Sequence, residues 1–156
     1  MDWKITNLSS ISSPNVTSAT GELVSMEALA RWQKSDGTFV SPGEFIPLFE
    51  SSGFITRFDM YIWKSVCKTL AAWQDKGCKL VPISINVSMI DITNIDVPQY
   101  LSMLTEQYHI SPEYLPVEIT ESVFAESNTI VKILLPVSTK RVFTCSWTIL
   151  AVDILL

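Results

Sequence analysis

The sequence holds one histidine and three cysteines among 156 residues, and each shortage removes a class of chemistry. A lone His109 leaves zinc-hydrolase and Ser-His-Asp mechanisms without the ligands or the base they need. Cys67, Cys78 and Cys145 are odd in number and widely spaced, with no C-x-x-C pair. That excludes a disulfide framework and a zinc cluster, and it fits a reducing cytoplasm, the expected location. The N-x-S/T sequons at Asn7, Asn15 and Asn86 then say nothing about glycosylation. Basic residues are few as well: 11 Lys and Arg against 16 Asp and Glu give a net charge of −5. A nucleic-acid partner is therefore not expected, and a phosphorylated ligand would need local arginine, lysine or bound metal. No apolar run escapes interruption by Ser, Thr, Lys or Asp, so no membrane span is expected, and "MDWKITNLSSISSPN" lacks the apolar stretch of a signal peptide.

What the chain does have is core. Its 47% hydrophobic and 10% aromatic content excludes disorder, and its length suits one domain. Glu22 to Trp32 reads as either strand or helix, because Glu27-Ala28-Leu29-Ala30-Arg31 are good helix formers followed by a Lys-Ser-Asp-Gly turn. Gly43 to Glu50 is a short helix after Ser41-Pro42. Phe58 to Lys76 is the clearest helix, with Tyr61, Ile62, Val66, Leu70 and Trp73 near a 3.6 period and Gly77 as its stop. "LVPISINVS" alternates, Val81, Ile83, Ile85 and Val87 against Ser84, Asn86 and Ser88, as a strand with one small polar face. Val97 to Tyr108 is a helix capped by Asp96, "LPVEIT" a short strand, and Ala125 to Leu135 a further helix. Strands alternating with helices at this spacing imply βα units around a parallel sheet or barrel, hence α/β.

Glu27, Asn86 and Glu118 each fall at or near the end of a proposed strand, where (β/α) barrels gather their chemistry. Two carboxylates and an amide oxygen are hard ligands suited to Mg²⁺ or Mn²⁺. Arg31, four residues past Glu27, suits a bidentate phosphate contact. Singly, each residue has a plainer reading. Glu27 fits a solvated charge, Asn86 a hydrogen-bonded strand residue, and Glu118 with Glu121 a solvated turn.

Taken together, "MEALARW", "SPGEFIPLFESSGFI", "ISINVS" and "VEITES" resemble, in order and spacing, the EAL-domain phosphodiesterases of bacteria. The resemblance covers roughly residues 14–133. It implies a TIM-like (β/α)8 barrel whose first strand runs antiparallel to the rest. It also implies metal-dependent hydrolysis of cyclic di-GMP to linear pGpG with Mg²⁺ or Mn²⁺. Carried over by position, Glu27, Asn86 and Glu118 would bind metal, Leu29 and Arg31 would contact substrate, and Glu121 would hold a neighbouring loop. Intact relatives bind cyclic di-GMP and often form homodimers.

The chain departs from that pattern after residue 133. The family's D-D-F-G motif and the Lys, Glu and Gln residues beyond it are missing, so an incomplete barrel of roughly the first half is expected. Residues 1–13 read as a lead-in, with Ser12-Ser13-Pro14 where relatives start on aromatic-Gln-Pro. Residues 134–156 read either as a native apolar strand or, through the genetic code, as an out-of-frame tail, and the second reading is the expected one. Trp147 is TGG and Thr148 begins AC, so one frame over these codons must spell Asp. Codon choices open to Lys140 through Leu156 permit K-A-G-F-Y-M-L-M-D-D-F-G-S-G-Y-S-S in that frame, although degeneracy leaves most of these triplets free. The reading that follows is a frameshift near residues 132–139, an out-of-frame apolar tail and an inactive, truncated product. The competing reading is a catalytically inert EAL-like module that acts through a protein partner.

Overall fold

A computed structural model of the protein describes residues 8–16, 23–119 and 145–146. Strand β1 (Leu8–Val16) leads into β2 (Leu23–Gln33), which turns back through the two-residue β3 (Phe39–Val40). Helices α1 (Pro42–Ser51) and α2 (Ile55–Asp75) precede β4 (Ile83–Val87). Then come α3 (Met89–Asn94), α4 (Val97–Gln107), a 3₁₀ turn at Pro112–Tyr114, β5 (Val117–Ile119) and β6 (Cys145–Ser146). One sheet runs β1-β2-β4-β5-β6, with β3 hydrogen-bonded to β2. β1 is antiparallel to β2, whereas β2–β4, β4–β5 and β5–β6 are parallel. The expected Ala125–Leu135 helix lies outside the described residues.

The sheet decides the ambiguous segment. Glu27 to Arg31 favour helix locally, but β2 lies between two strands, paired with β1 from Leu8↔Trp32 to Val16↔Leu23 and with β4 at Met26↔Ile83 and Glu27↔Ser84. Backbone bonds on both sides outweigh a propensity difference of a few tenths of a kcal/mol per residue, roughly. Gly37, at φ 88, closes the β2–β3 turn, and Asp36 accepts from the Thr38 N–H at 2.9 Å and hydroxyl at 2.6 Å. The Thr38 hydroxyl, then its amide, hold the Asp36 carboxyl below the usual range.

The core lies between the sheet and α2. Along α2, Phe58, Ile62, Trp63, Val66, Cys67 and Leu70 are buried, as are Ile83, Ile85 and Val87 of β4. Tyr61, expected in the buried stripe, is 40% exposed, while Phe58 and Cys67 lie within it. Ile62, Val66 and Leu70 are buried as the period predicts, and the stripe widens on the Phe58, Trp63 and Cys67 side rather than toward Tyr61. An aromatic group joins α1 to β2 and α2: Phe49 has ring centroids 5.5 Å from Phe45, 5.0 Å from Phe54 and 5.2 Å from Phe58, and Trp32 meets Phe45 edge-on at 5.8 Å. Burial pushes the Cys67 thiol up to about 12, so it stays a thiol at neutral pH. No helix among the described residues is long and apolar enough to cross a membrane.

Three helices end in the same way. After α2, the Gly77 amide bonds to Gln74 O at 2.9 Å and the Cys78 amide to Trp73 O at 3.0 Å, a Schellman close with Gly77 at φ 68. After α1, Gly53 and Phe54 repeat it on Glu50 and Phe49. After α4, the position is filled by His109 at φ 54, with its amide 3.3 Å from Glu106 O and the Ile110 amide 2.9 Å from Thr105 O. A Cβ in the left-handed region carries a steric cost that glycine avoids. His109 is exposed, so its side chain offers no buried contact in return. His109→Gly is expected to stabilise the chain by about 1 kcal/mol. The check is a higher urea midpoint with an unchanged m value.

Candidate functional site

Side chains two apart on a strand share a face, so Glu27, Leu29 and Arg31 project to one side of β2. Register carries that face across the sheet. Glu27 is level with Ser84 of β4, and Asn86, two residues on, is level with Glu118 of β5. The apolar alternates Ile83, Ile85 and Val87 take the opposite face toward α2, which is why the polar set is left together.

Within this set the Asn86 amide Nδ2 donates to Glu27 Oε1 at 3.1 Å, across 59 positions of sequence. The amide nitrogen is spent on the carboxylate, and the Asn86 oxygen remains as its other donor atom. The Glu118 carboxylate stands at the next strand position beside it. Glu27, Asn86 and Glu118 are all half-buried, so they are partly shielded from water yet reachable by a ligand. Two carboxylates and one amide oxygen on three neighbouring strands fit a hard divalent cation such as Mg²⁺ or Mn²⁺. Further oxygens would have to come from water, from ligand phosphate or from other residues.

Glu27 does not end its strand. It is the fifth residue of the eleven in β2, which continues to Gln33 because β1 and β3 go on pairing there. The parallel ladder with β4, however, stops at Glu27↔Ser84. Glu27 is therefore the last β2 residue held on the parallel side, and beyond it the strand is free of β4. Arg31, on the same face, is half-buried, and its guanidinium donates to Ala30 O at 3.1 Å. Leu29 is half-buried between Glu27 and Arg31. Glu121 lies outside the described residues.

Sequence reasoning missed α3 and what it holds. Ser88, two residues past Asn86, caps α3: its hydroxyl accepts from the Asp91 amide at 3.2 Å, and Asp91 Oδ2 accepts from the Ser88 amide at 2.8 Å and hydroxyl at 2.7 Å. The S-x-x-D spacing is a capping-box signal that could have revealed it. A second anchor is the Trp63 indole, which donates to Asn86 O at 3.0 Å. No sequence signal announces that pairing.

Known proteins resemble this chain in sequence and fold. The family model described as "EAL domain" matches residues 11–137. The chain is 34% identical over 116 residues to the probable cyclic di-GMP phosphodiesterase PdeB of Escherichia coli (strain K12), covering 74% of this chain and 22% of that protein. It is likewise 34% identical over 116 residues to the oxygen sensor protein DosP of the same strain, covering 74% of this chain and 14% of that protein. The chain thus spans less than a quarter of the length of these relatives. Among solved structures, the PaMucR phosphodiesterase in its c-di-GMP complex superposes with a TM-score of 0.70 at 21% identity, over 87% of this chain and 56% of that one. The EAL enzyme Bd1971 in its cGMP-bound form gives 0.74 at 22%, over 87% and 38%. The fold is therefore α/β, of the TIM-like EAL barrel type, with an incomplete set of its strands in the described residues. With a family model covering most of its length and these relatives beside it, the chain belongs to the EAL domain family.

Proposed function

We propose that this domain acts on cyclic di-GMP and, when its barrel is whole, hydrolyses it to linear pGpG with Mg²⁺ or Mn²⁺. The observation that carries the reading is the junction of Glu27 with Asn86 at 3.1 Å, with Glu118 level with Asn86 on the next strand. Glu27, the Asn86 oxygen and Glu118 would hold the cation. When bound, such an ion polarises a phosphodiester and offsets the charge that develops on its oxygens. The protein's own residues do the rest. Arg31 binds a phosphate of the nucleotide, Leu29 packs against it, and the Asn86 amide keeps the Glu27 carboxylate turned toward the shared face. Glu121 holds an adjoining loop. Residues 14–133 form the working domain fragment on this reading, and the residues of 134–156 are compatible with codons that encode a D-D-F-G segment one frame over.

With its present residues 134–156 the chain binds without turnover, as an inert module open to a protein partner or a second copy. Incubation of the purified chain with cyclic di-GMP and Mn²⁺ is expected to yield no pGpG. Restoring the frame near residues 132–139 is expected to yield it. Turnover by the unrestored chain would overturn the inactivity, and a frame-restored chain that folds but leaves cyclic di-GMP intact would overturn the assignment. Resequencing the gene from the codon of Val131 onward is expected to reveal one base gained or lost.

A further inference from the structure

Asp91 is fully buried, and only half of its carboxylate is satisfied. Oδ2 takes the two Ser88 bonds, while Oδ1 receives nothing from any N–H or hydroxyl. An orphaned buried carboxylate oxygen costs on the order of 1–3 kcal/mol or more, so a donor is called for. α3 is already tied to α2 by Asn94 Nδ2, which donates to the Thr56 hydroxyl at 3.3 Å, and one turn on from Thr56 the half-buried Asp59, itself a carboxyl group, interacts with the Asp91 side chain. Two carboxylates in contact, one of them fully buried, repel each other unless they share a proton. Among the described residues, the charged groups that act on Asp59 are Asp91 from α3 and Glu50 from α1, both acidic. Burial, then the Asp91 charge and hydrogen bond, then Glu50, push Asp59 up to about 9.

Asp59 also lies one turn before Trp63, so the two share a face of α2. Trp63 grips the carbonyl of Asn86, and Asp91 closes the capping box two to five residues further on. We propose that Asp59, kept as the neutral acid, is a positioning residue: it donates its proton to Asp91 Oδ1 and, with Trp63, fixes the backbone from the Asn86 carbonyl through the turn into α3. This rests on the reading of Asn86 as a metal-binding residue, and it adds a proton that α2 uses to fasten α3.

The sign follows from linkage. An unfolded Asp59 loses its proton near pH 3.9, roughly, while the folded one keeps it to about 9. The stability it confers is full below the unfolded value and falls as pH rises toward the folded one. The experiment is urea unfolding of the full chain from pH 5 to pH 8, for the parent, Asp59→Asn and Asp91→Asn. The ratio of the parent's unfolding constant to that of Asp59→Asn should rise about tenfold per pH unit, one proton's worth. Asp59→Asn keeps a donor for Oδ1, so it should match or exceed the parent at pH 7. Asp91→Asn should flatten the profile too, because its amide can donate to an ionised Asp59. Amide exchange at Asp91 and Ile92 should quicken from pH 6 to pH 9 beyond the intrinsic rise in the parent alone. Parallel pH profiles for parent and Asp59→Asn would overturn the shared proton. A flat α3 exchange response with an intact proton linkage would overturn the positioning role. Neither measurement uses nucleotide or metal, so failure here is separable from failure of the proposed function.

Discussion

Trp63→Ala will destabilise the chain by about 3–5 kcal/mol, the largest loss expected from any single truncation among the described residues. Trp63 has no exposed surface and is the largest fully buried side chain among the described residues, set between α2 and the sheet with its ring 6.0 Å from that of Tyr100. Truncation removes the transfer energy of the indole and leaves a cavity that a helix anchored along Phe58, Ile62, Val66 and Leu70 cannot easily close. It also strips the donor from Asn86 O, whose loss costs on the order of 1 kcal/mol within that sum. Domains of this size have about 5–15 kcal/mol in total, so the alanine variant should be largely unfolded in moderate urea. Trp63→Phe separates the two contributions, because it keeps most of the ring and loses the N–H. It should cost about 1–3 kcal/mol. An alanine variant within 1 kcal/mol of the parent, roughly, would mean that the helix is not docked on β4 as described.

The same residue marks the boundary of what the sequence could tell. Periodicity placed α2 and β4 well, because long amphipathic segments speak through spacing alone. It could not place Trp63 over Asn86, since that contact joins residues 23 apart through packing rather than pattern. Local composition pointed both ways at Glu27 to Arg31, and only pairing with β1 and β4 resolved it as strand. Short elements were the other loss. α3 has six residues, too few for a period, and was signalled only by the Ser88 and Asp91 spacing. The polar face of β4 was legible because strict alternation leaves Ser84 and Asn86 on one side. Its chemical meaning was not legible from alternation. That came from the likeness of four motifs to a known family, and the structure adds the 3.1 Å contact that brings two of them together.

That contact sets up the second large effect. In a frame-restored chain, Glu27→Ala should lower kcat for cyclic di-GMP on the order of 10³-fold, the scale seen when one preorganised electrostatic group is removed. Glu27 is the acidic residue that β2 contributes to the shared face, and the loss has two parts. A negative donor for the cation disappears, and the Asn86 amide loses its acceptor, so its oxygen is no longer held in place. Glu27→Gln tells these apart. The glutamine oxygen can still accept from Asn86 and can still face a cation, but as a neutral donor. We therefore expect Glu27→Gln to fold like the parent and to lose most of its activity, with part of the loss recovered as Mn²⁺ is raised. Glu27→Ala should show no such recovery. Both variants should keep the parent's unfolding free energy to within about 1 kcal/mol, because Glu27 is half-buried and outside the apolar core. Near-parental turnover by Glu27→Gln at low Mn²⁺ would sink the ligand role. It would leave Glu27 as an orienting partner for Asn86 alone, with the charge of the site supplied by Glu118 and the aspartates of the restored frame.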